Sequence, residues 1–264
     1  MHCSKVGRVL LSSCLYASIL LANACTCSGN ASDLQPLSPQ AAKKPPRIIK
    51  NKLSELIVLL EQRIVEGEKR QERIAEAKDL LQVFKNIQAG SMQANGRFKP
   101  DSYPTGEFTL ATFAAYTPQL DSALRIKCFK YAQAKGVGFK EFTVWGESIL
   151  HLLVKEPDFV SLQWVLLNTA AKGLIATETT AGNKETPLST AVRIALGSSS
   201  TKDDTTYLQI IQLLLQQGAA NDKAAVKALY QECERTSHYD PSKRPNRRGA
   251  NKNGEVAALL KQYL

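Results

Sequence analysis

The chain has 264 residues, 44% of them apolar and 22% charged. That length and balance fit one or two folded domains with a sizeable core and exclude a disordered or collagen-like chain. The net charge of +10 suits an acidic partner, an anionic surface or plain solubility, and six cysteines are too few and too scattered for a disulfide scaffold.

Residues 1–24 read as a signal peptide. Lys5 and Arg8 give a basic start, Val9 through Ala22 is an uncharged run of apolar and small residues, and Ala22-Asn23-Ala24 is a small-x-small cleavage signature. The run is about 14 residues, short of the roughly 20 that cross a bilayer as a helix. The alternative is a retained N-terminal anchor. Leu21-Ala22-Asn23-Ala24-Cys25 resembles a bacterial lipoprotein signal, although Ala22 stands where that family usually carries Leu. The resemblance implies that Cys25 is the lipid attachment residue, becomes the new N-terminus and ties the protein to a membrane. Ordinary secretion would cut the same bond and leave the Cys25 thiol bare.

Cys3 and Cys14 leave with the signal. Cys25 and Cys27 form a C-x-C pair, which lacks the spacing and further ligands of a zinc site, so neither metal nor cofactor is expected. Asn30-Ala31-Ser32 is a glycosylation sequon that matters only in a eukaryotic secretory route. Residues 25–46 are rich in Ser, Pro, Ala and Gln and read as a flexible tether.

Residues 47–88 form an amphipathic helical segment. Leu53, Leu56, Ile57, Leu60 and Ile64, then Ile74, Leu81, Phe84 and Ile87, recur at helical spacing. Gly67 interrupts the middle and the stripe thins from Val65 to Ile74, which predicts a bent helix or a two-helix hairpin. The stripe either packs on the following domain or makes a coiled coil that joins two copies as a homodimer. Gly90, Asn95, Gly96, Pro100 and Pro104 mark residues 89–104 as a linker.

Residues 105–264 carry an internal repeat. Gly146-Glu147-Ser148-Ile149-Leu150-His151 and Lys184-Glu185-Thr186-Pro187-Leu188 share one frame. In each, a hydroxyl residue precedes an apolar helix and can accept from free N–H groups, and Pro187 sits where the first helical N–H would have no partner. A second apolar helix follows each start, at Leu162–Leu167 and at Ile210–Leu215, the latter stopped by Gly218-Ala219. Thr186-Pro187-Leu188, His151 and Leu213–Ala219 resemble the ankyrin repeat. The resemblance implies an all-α, ankyrin-like helical repeat solenoid of three to four divergent copies, preceded by the long or bent amphipathic helical segment. A weaker copy begins at Gly106 with Leu110, and a last one near Ala224. Leu110, Leu150 and Leu188 lie 40 and 38 residues apart, more than the family period, so insertions are expected at Gly197–Thr206 and His238–Asn253. Trp164, Leu167, Leu188, Ile211 and Leu214 are the expected core.

No catalytic constellation stands out. The resemblance implies that His151 bonds neighbouring backbone between repeats. Cys128 and Cys233 lie in half-apolar helices and read as buried thiols, with a disulfide between them open. The basic run Lys243–Lys252 reads as a solvated loop, with an acidic protein or an anionic membrane as the alternative contact; it lacks interleaved aromatics, so nucleic acid is not an expected partner. The resemblance implies an exported, non-catalytic protein–protein interaction scaffold whose turn tips meet the partner. Those tips make Lys140, Glu141, Trp145, Glu147, Asn183, Lys184 and Glu185 the candidate partner-binding residues. A bacterial export signal beside such a repeat associates with life inside or on a host, so host proteins are among the expected partners. The alternative is a structural envelope lipoprotein that self-associates through residues 47–88.

Overall fold

The computed structural model describes residues 47–197, 204–237 and 250–264. The signal peptide, the whole of the tether with Cys25, and most of the inserted and basic stretches lie outside the described residues. Within them the chain is all-α, with ten helices and no strand.

The amphipathic segment is a hairpin of α1 (Arg47–Lys69) and α2 (Ala75–Ala89). The break falls after Lys69 rather than at Gly67. Gly67 stays helical and serves a close approach: a Cβ there would lie 2.6 Å from the Ile74 side chain. Lys78–Glu68 at 2.9 Å, Lys85–Glu61 at 2.8 Å and Gln88–Ser54 at 3.1 Å align the two helices antiparallel. The apolar stripe is consumed within the chain. Leu53, Leu56, Ile57, Leu60 and Ile64 are buried with Leu80 and Phe84, and α1 packs on α4. Arg63 fastens that contact by donating to the Gln119 carbonyl at 2.7 Å.

Four helix pairs follow: α3 (Leu110–Tyr116) with α4 (Ser122–Ala134), α5 (Ile149–Lys155) with α6 (Phe159–Asn168), α7 (Pro187–Gly197) with α8 (Asp204–Gln216), and α9 (Lys223–Ser237) with α10 (Ala250–Lys261). The first helices touch in the order α3, α5, α7, α9, and the second helices in the order α4, α6, α8, α10. The pairs therefore stack in chain order as two rows. The buried side chains from Leu53 to Leu260 make one continuous apolar cluster, so no pair closes its own core.

The helix starts explain why the pairs sit in register. Thr109, Ser148 and Thr186 each precede a first helix and bond reciprocally with the residue three positions on. Leu150 and Leu188, two residues on from Ser148 and Thr186, are buried, and so is Leu110, which follows Thr109 directly and stands one residue out of that register. Ile211 and Leu214 are buried too, and Trp164 is half-buried with its ring stacked on Phe129 at 5.9 Å. Leu167 is a correction: it is 63% exposed. In α6, Leu162, Val165 and Leu166 point inward, and the next residue turns about 100° away from them.

Cys128 and Cys233 are buried and free, not joined. Burial pushes both thiols up to about 12, which leaves them protonated and inert.

Candidate partner-binding edge

Each first helix is preceded by a turn, and the turns carry the candidate residues. The first is closed by Phe98 and Phe108, which exchange two backbone hydrogen bonds of 3.0 Å. In the second, Thr143 N–H donates to the Glu147 carbonyl and Gly146 N–H to the Thr143 carbonyl, both at 2.9 Å, with Gly146 at φ 73°. In the third, Thr179 N–H donates to the Glu185 carbonyl at 2.8 Å. Lys184 adopts φ 52° there, two residues before Thr186, as Gly146 lies two residues before Ser148.

The turns are joined into one edge. Trp145 meets Tyr103 at 5.9 Å, Phe108 at 5.5 Å and Tyr116 at 5.8 Å between ring centroids, so aromatic packing links the first two turns. Thr180 N–H donates to the Gly146 carbonyl at 3.0 Å, which links the second turn to the third.

His151 reinforces that second link from below. Its ring is fully buried. Nδ1 accepts from Ser148 N–H at 3.2 Å, so Nε2 carries the proton and donates to the Glu185 carbonyl at 2.8 Å. The helix start of one pair is thus bonded to the turn of the next. Burial holds the imidazole below its ordinary range, against the pull of the Glu185 carbonyl and the Glu147 carboxylate. The unfolded chain therefore binds a proton that the folded one does not as pH drops below about 6.5, and stability falls through that window. His151→Gln removes the titration. Urea unfolding from about pH 8 to pH 5 is expected to show the wild type losing stability and the variant staying level. A parallel slope in both proteins would contradict this role.

The seven candidate residues divide into two groups. Lys140, Asn183 and Lys184 are exposed, and Trp145 is 37% exposed. Glu147 and Glu185 are held back on their own helices, paired with Lys155 and Arg193 at the same spacing of eight residues. Glu141 pairs with Arg97 across to the first turn. The sequence reading overlooked Val144, 48% exposed beside Trp145, and the rings of Tyr103 and Tyr116 that seat the tryptophan. A valine–tryptophan step in a polar turn is the local signal for that patch.

The opposite end of the pairs forms a cleft of about 530 Å³ between the starts of α4, α6 and α8. Arg125 and Asp158, both buried, lie at its base and satisfy one another. Among the described residues no cluster of side chains could hold a metal ion, and no helix is long and apolar enough to cross a membrane. No protein-family model matches the chain, and no curated protein or solved structure matches it either.

Proposed function

We propose that this chain is an exported, non-catalytic protein–protein interaction scaffold, an ankyrin-like repeat stack held to the cell envelope by lipid on Cys25. The observation that carries the binding part is Trp145. Three aromatic neighbours fix its ring, yet over a third of it stays open to solvent at a turn tip. A large ring that is already immobilised loses little entropy when a partner covers it, which is how interface anchors gain affinity. Val144 extends the apolar contact, and Lys140, Asn183 and Lys184 supply a polar rim. The stacked helix pairs, the hydroxyl residue before each first helix and the His151 bond between pairs support the ankyrin-like reading. Envelope and host proteins are the partners in view.

The self-associating alternative has less surface to use. With the stripe of α1 buried, Val58 and Val65 are its exposed large apolar residues among those described.

The test places a photo-reactive residue at position 144 of the full chain and exposes it to envelope and host-cell extracts. One discrete adduct is expected, reduced roughly thirtyfold by Trp145→Ala, as for loss of an interface anchor. The same probe at position 163, on the second row of helices, should give none. Equal adducts from both positions, or indifference to Trp145→Ala, would sink the binding edge. Intact mass of the same protein is expected to begin at Cys25 with acyl chains, and a chain that keeps Met1 would remove the export part.

A further inference from the structure

The seat of Trp145 continues beyond the turns into the N-terminal hairpin. Tyr103, which packs on Trp145, belongs to residues 100–106, which are neither helix nor strand. Two tight turns shape that stretch: Tyr103 N–H donates to the Pro100 carbonyl at 3.0 Å and Gly106 N–H to the Tyr103 carbonyl at 2.9 Å. Those bonds shape the turns but do not place them on the molecule. Two carboxylates of α2 do that. Asp79 accepts from Ser102 N–H at 2.9 Å, and Glu76 accepts from the Tyr103 O–H at 3.1 Å.

Glu76 is the node. It is 1% exposed, and a buried charge is costly unless hydrogen bonds satisfy it. Its Oε1 meets Arg73 at 2.6 Å as well as Tyr103, and its Oε2 accepts from Gln119 Nε2 at 3.0 Å. Arg73 also donates to the Tyr103 hydroxyl oxygen at 3.1 Å, so that hydroxyl both accepts and donates and is held in one orientation. Gln119 is fixed in turn from α1, because Arg63 Nε donates to its carbonyl at 2.7 Å. A line of charge-assisted bonds therefore runs from both helices of the hairpin to the Tyr103 ring. Trp145 lies at its end. The Tyr103 ring stands edge-on to Tyr116 at 4.8 Å and to Trp145 at 5.9 Å. The same stretch meets Trp145 again at Gly106, where an added Cβ would lie 3.3 Å from the ring carbon Cη2. Where the indole sits thus depends on where residues 100–106 sit, and α2 sets that.

We propose that the α1–α2 hairpin sets the binding edge, with Glu76 as its positioning residue: Glu76 holds the Tyr103 hydroxyl, and Tyr103 holds the Trp145 ring in the orientation that a partner meets. The inference rests on the reading of Trp145 as the anchor. It gives the hairpin a second role beside covering the first helix pair. Glu76 is buried and acts only through Tyr103. Without the bond between them the Tyr103 ring is free to shift, Trp145 samples other rotamers, and a partner binds only the fraction of molecules with the indole in place.

Time-resolved fluorescence anisotropy of the full chain tests this, in a Trp164→Phe background that leaves Trp145 as the single tryptophan. A locked indole turns only with the whole molecule, whereas a freed one adds motion on the picosecond-to-nanosecond scale. The background protein should lack that fast component. Tyr103→Phe keeps the ring and removes only its bond to Glu76, and Glu76→Ala removes the acceptor, so both should gain it. Glu76→Gln keeps an acceptor for Tyr103, and Gln119, whose Oε1 has no partner, can turn its amide over to accept from the new N–H. That variant should stay locked. Lys85→Ala breaks the 2.8 Å ion pair with Glu61 inside the hairpin, well along α2 from Glu76, and should stay locked too. A locked indole in Tyr103→Phe would overturn the proposal whatever Glu76→Ala shows, and so would an equal fast component in Lys85→Ala. The photo-reactive probe at position 144 separates this inference from the binding reading. Its adduct should fall about tenfold in Tyr103→Phe, for the loss of one charge-assisted bond. A freed indole with an undiminished adduct would remove Trp145 as the anchor and leave its coupling to the hairpin standing.

Discussion

Asp158→Ala is expected to cost about 4 kcal/mol, a large share of the ~5–15 kcal/mol that holds a domain folded. Asp158 is 8% exposed and Arg125 is 3% exposed. Arg125, on α4, donates to the Ala114 carbonyl at 3.2 Å and the Thr117 carbonyl at 2.9 Å, and pairs with Asp158. Asp158 also accepts from Ser122 at 2.7 Å and from the Ser161 N–H at 2.9 Å, which caps α6. One ion pair therefore fastens the end of α3, the start of α4 and the start of α6, across two successive helix pairs. Removing the carboxylate leaves a buried guanidinium without its counter-charge and α6 without its cap. The first effect accounts for about 3 kcal/mol and the second for about 1 kcal/mol.

Two comparisons separate those parts. Asp158→Asn keeps an acceptor for Ser161 and loses only the charge, so it should fall between the wild type and the alanine variant. Asp222→Ala removes an exposed cap at the start of α9, where Asp222 accepts from Ala225 N–H at 2.9 Å, and should cost about 1 kcal/mol. Urea unfolding followed by circular dichroism gives all three values. Acid adds a signature. Burial alone would raise the Asp158 carboxyl, but its bonds to Ser161 and the Arg125 charge outweigh that and hold it below its ordinary range. Its contribution is complete above about pH 4 and disappears as pH falls through the folded-state value, so the gap between wild type and Asp158→Asn should close there. A cost under about 1 kcal/mol for Asp158→Ala would mean that the pair is solvated and does not hold the stack.

This pair shows where local pattern stops being informative. The helix starts at Ser148 and Thr186 were legible because a cap and its first buried leucine lie within a few residues, whereas the Thr109 cap was not singled out in the weaker copy begun at Gly106. The hairpin of α1 and α2 was legible because its stripe fails over a short stretch. Arg125 and Asp158 are 33 residues apart, and nothing near either one announces the other. Asp158 has a local cue as a cap before Ser161, whereas a basic residue inside an exposed-looking helix gives no sign that it will be buried. The seat of Trp145 has the same character. Tyr103 comes from the stretch read as a linker and Tyr116 from the end of α3, so the aromatic patch exists only after the turns meet. Leu167 failed for a different reason. In a run of adjacent leucines, composition cannot choose the phase of the helix, and packing against the neighbouring pair does.

Gly146→Ala is expected to cost about 3 kcal/mol and to loosen the joint between the second and third turns. Two terms contribute. At φ 73° an alanine carries the steric penalty of the left-handed region, about 1–2 kcal/mol. A Cβ at this position would also lie 2.6 Å from the Ala181 nitrogen and 2.8 Å from the Thr180 nitrogen. Backbone cannot rotate aside as a flexible side chain would, so the third turn must move, and the Thr180 N–H to Gly146 bond is lost for about 1 kcal/mol more. Gly182→Ala is the control, since its φ of 74° is nearly the same and a Cβ there meets nothing within 4 Å. It should show the conformational penalty alone. The difference between the two variants isolates the close approach of the turns, and amide exchange at Thr180 should quicken only in Gly146→Ala. Equal costs with unchanged exchange would mean that the turns are independent. A larger cost at Gly146 would mean that the edge carrying Trp145 is continuous because two backbones meet where only glycine leaves room.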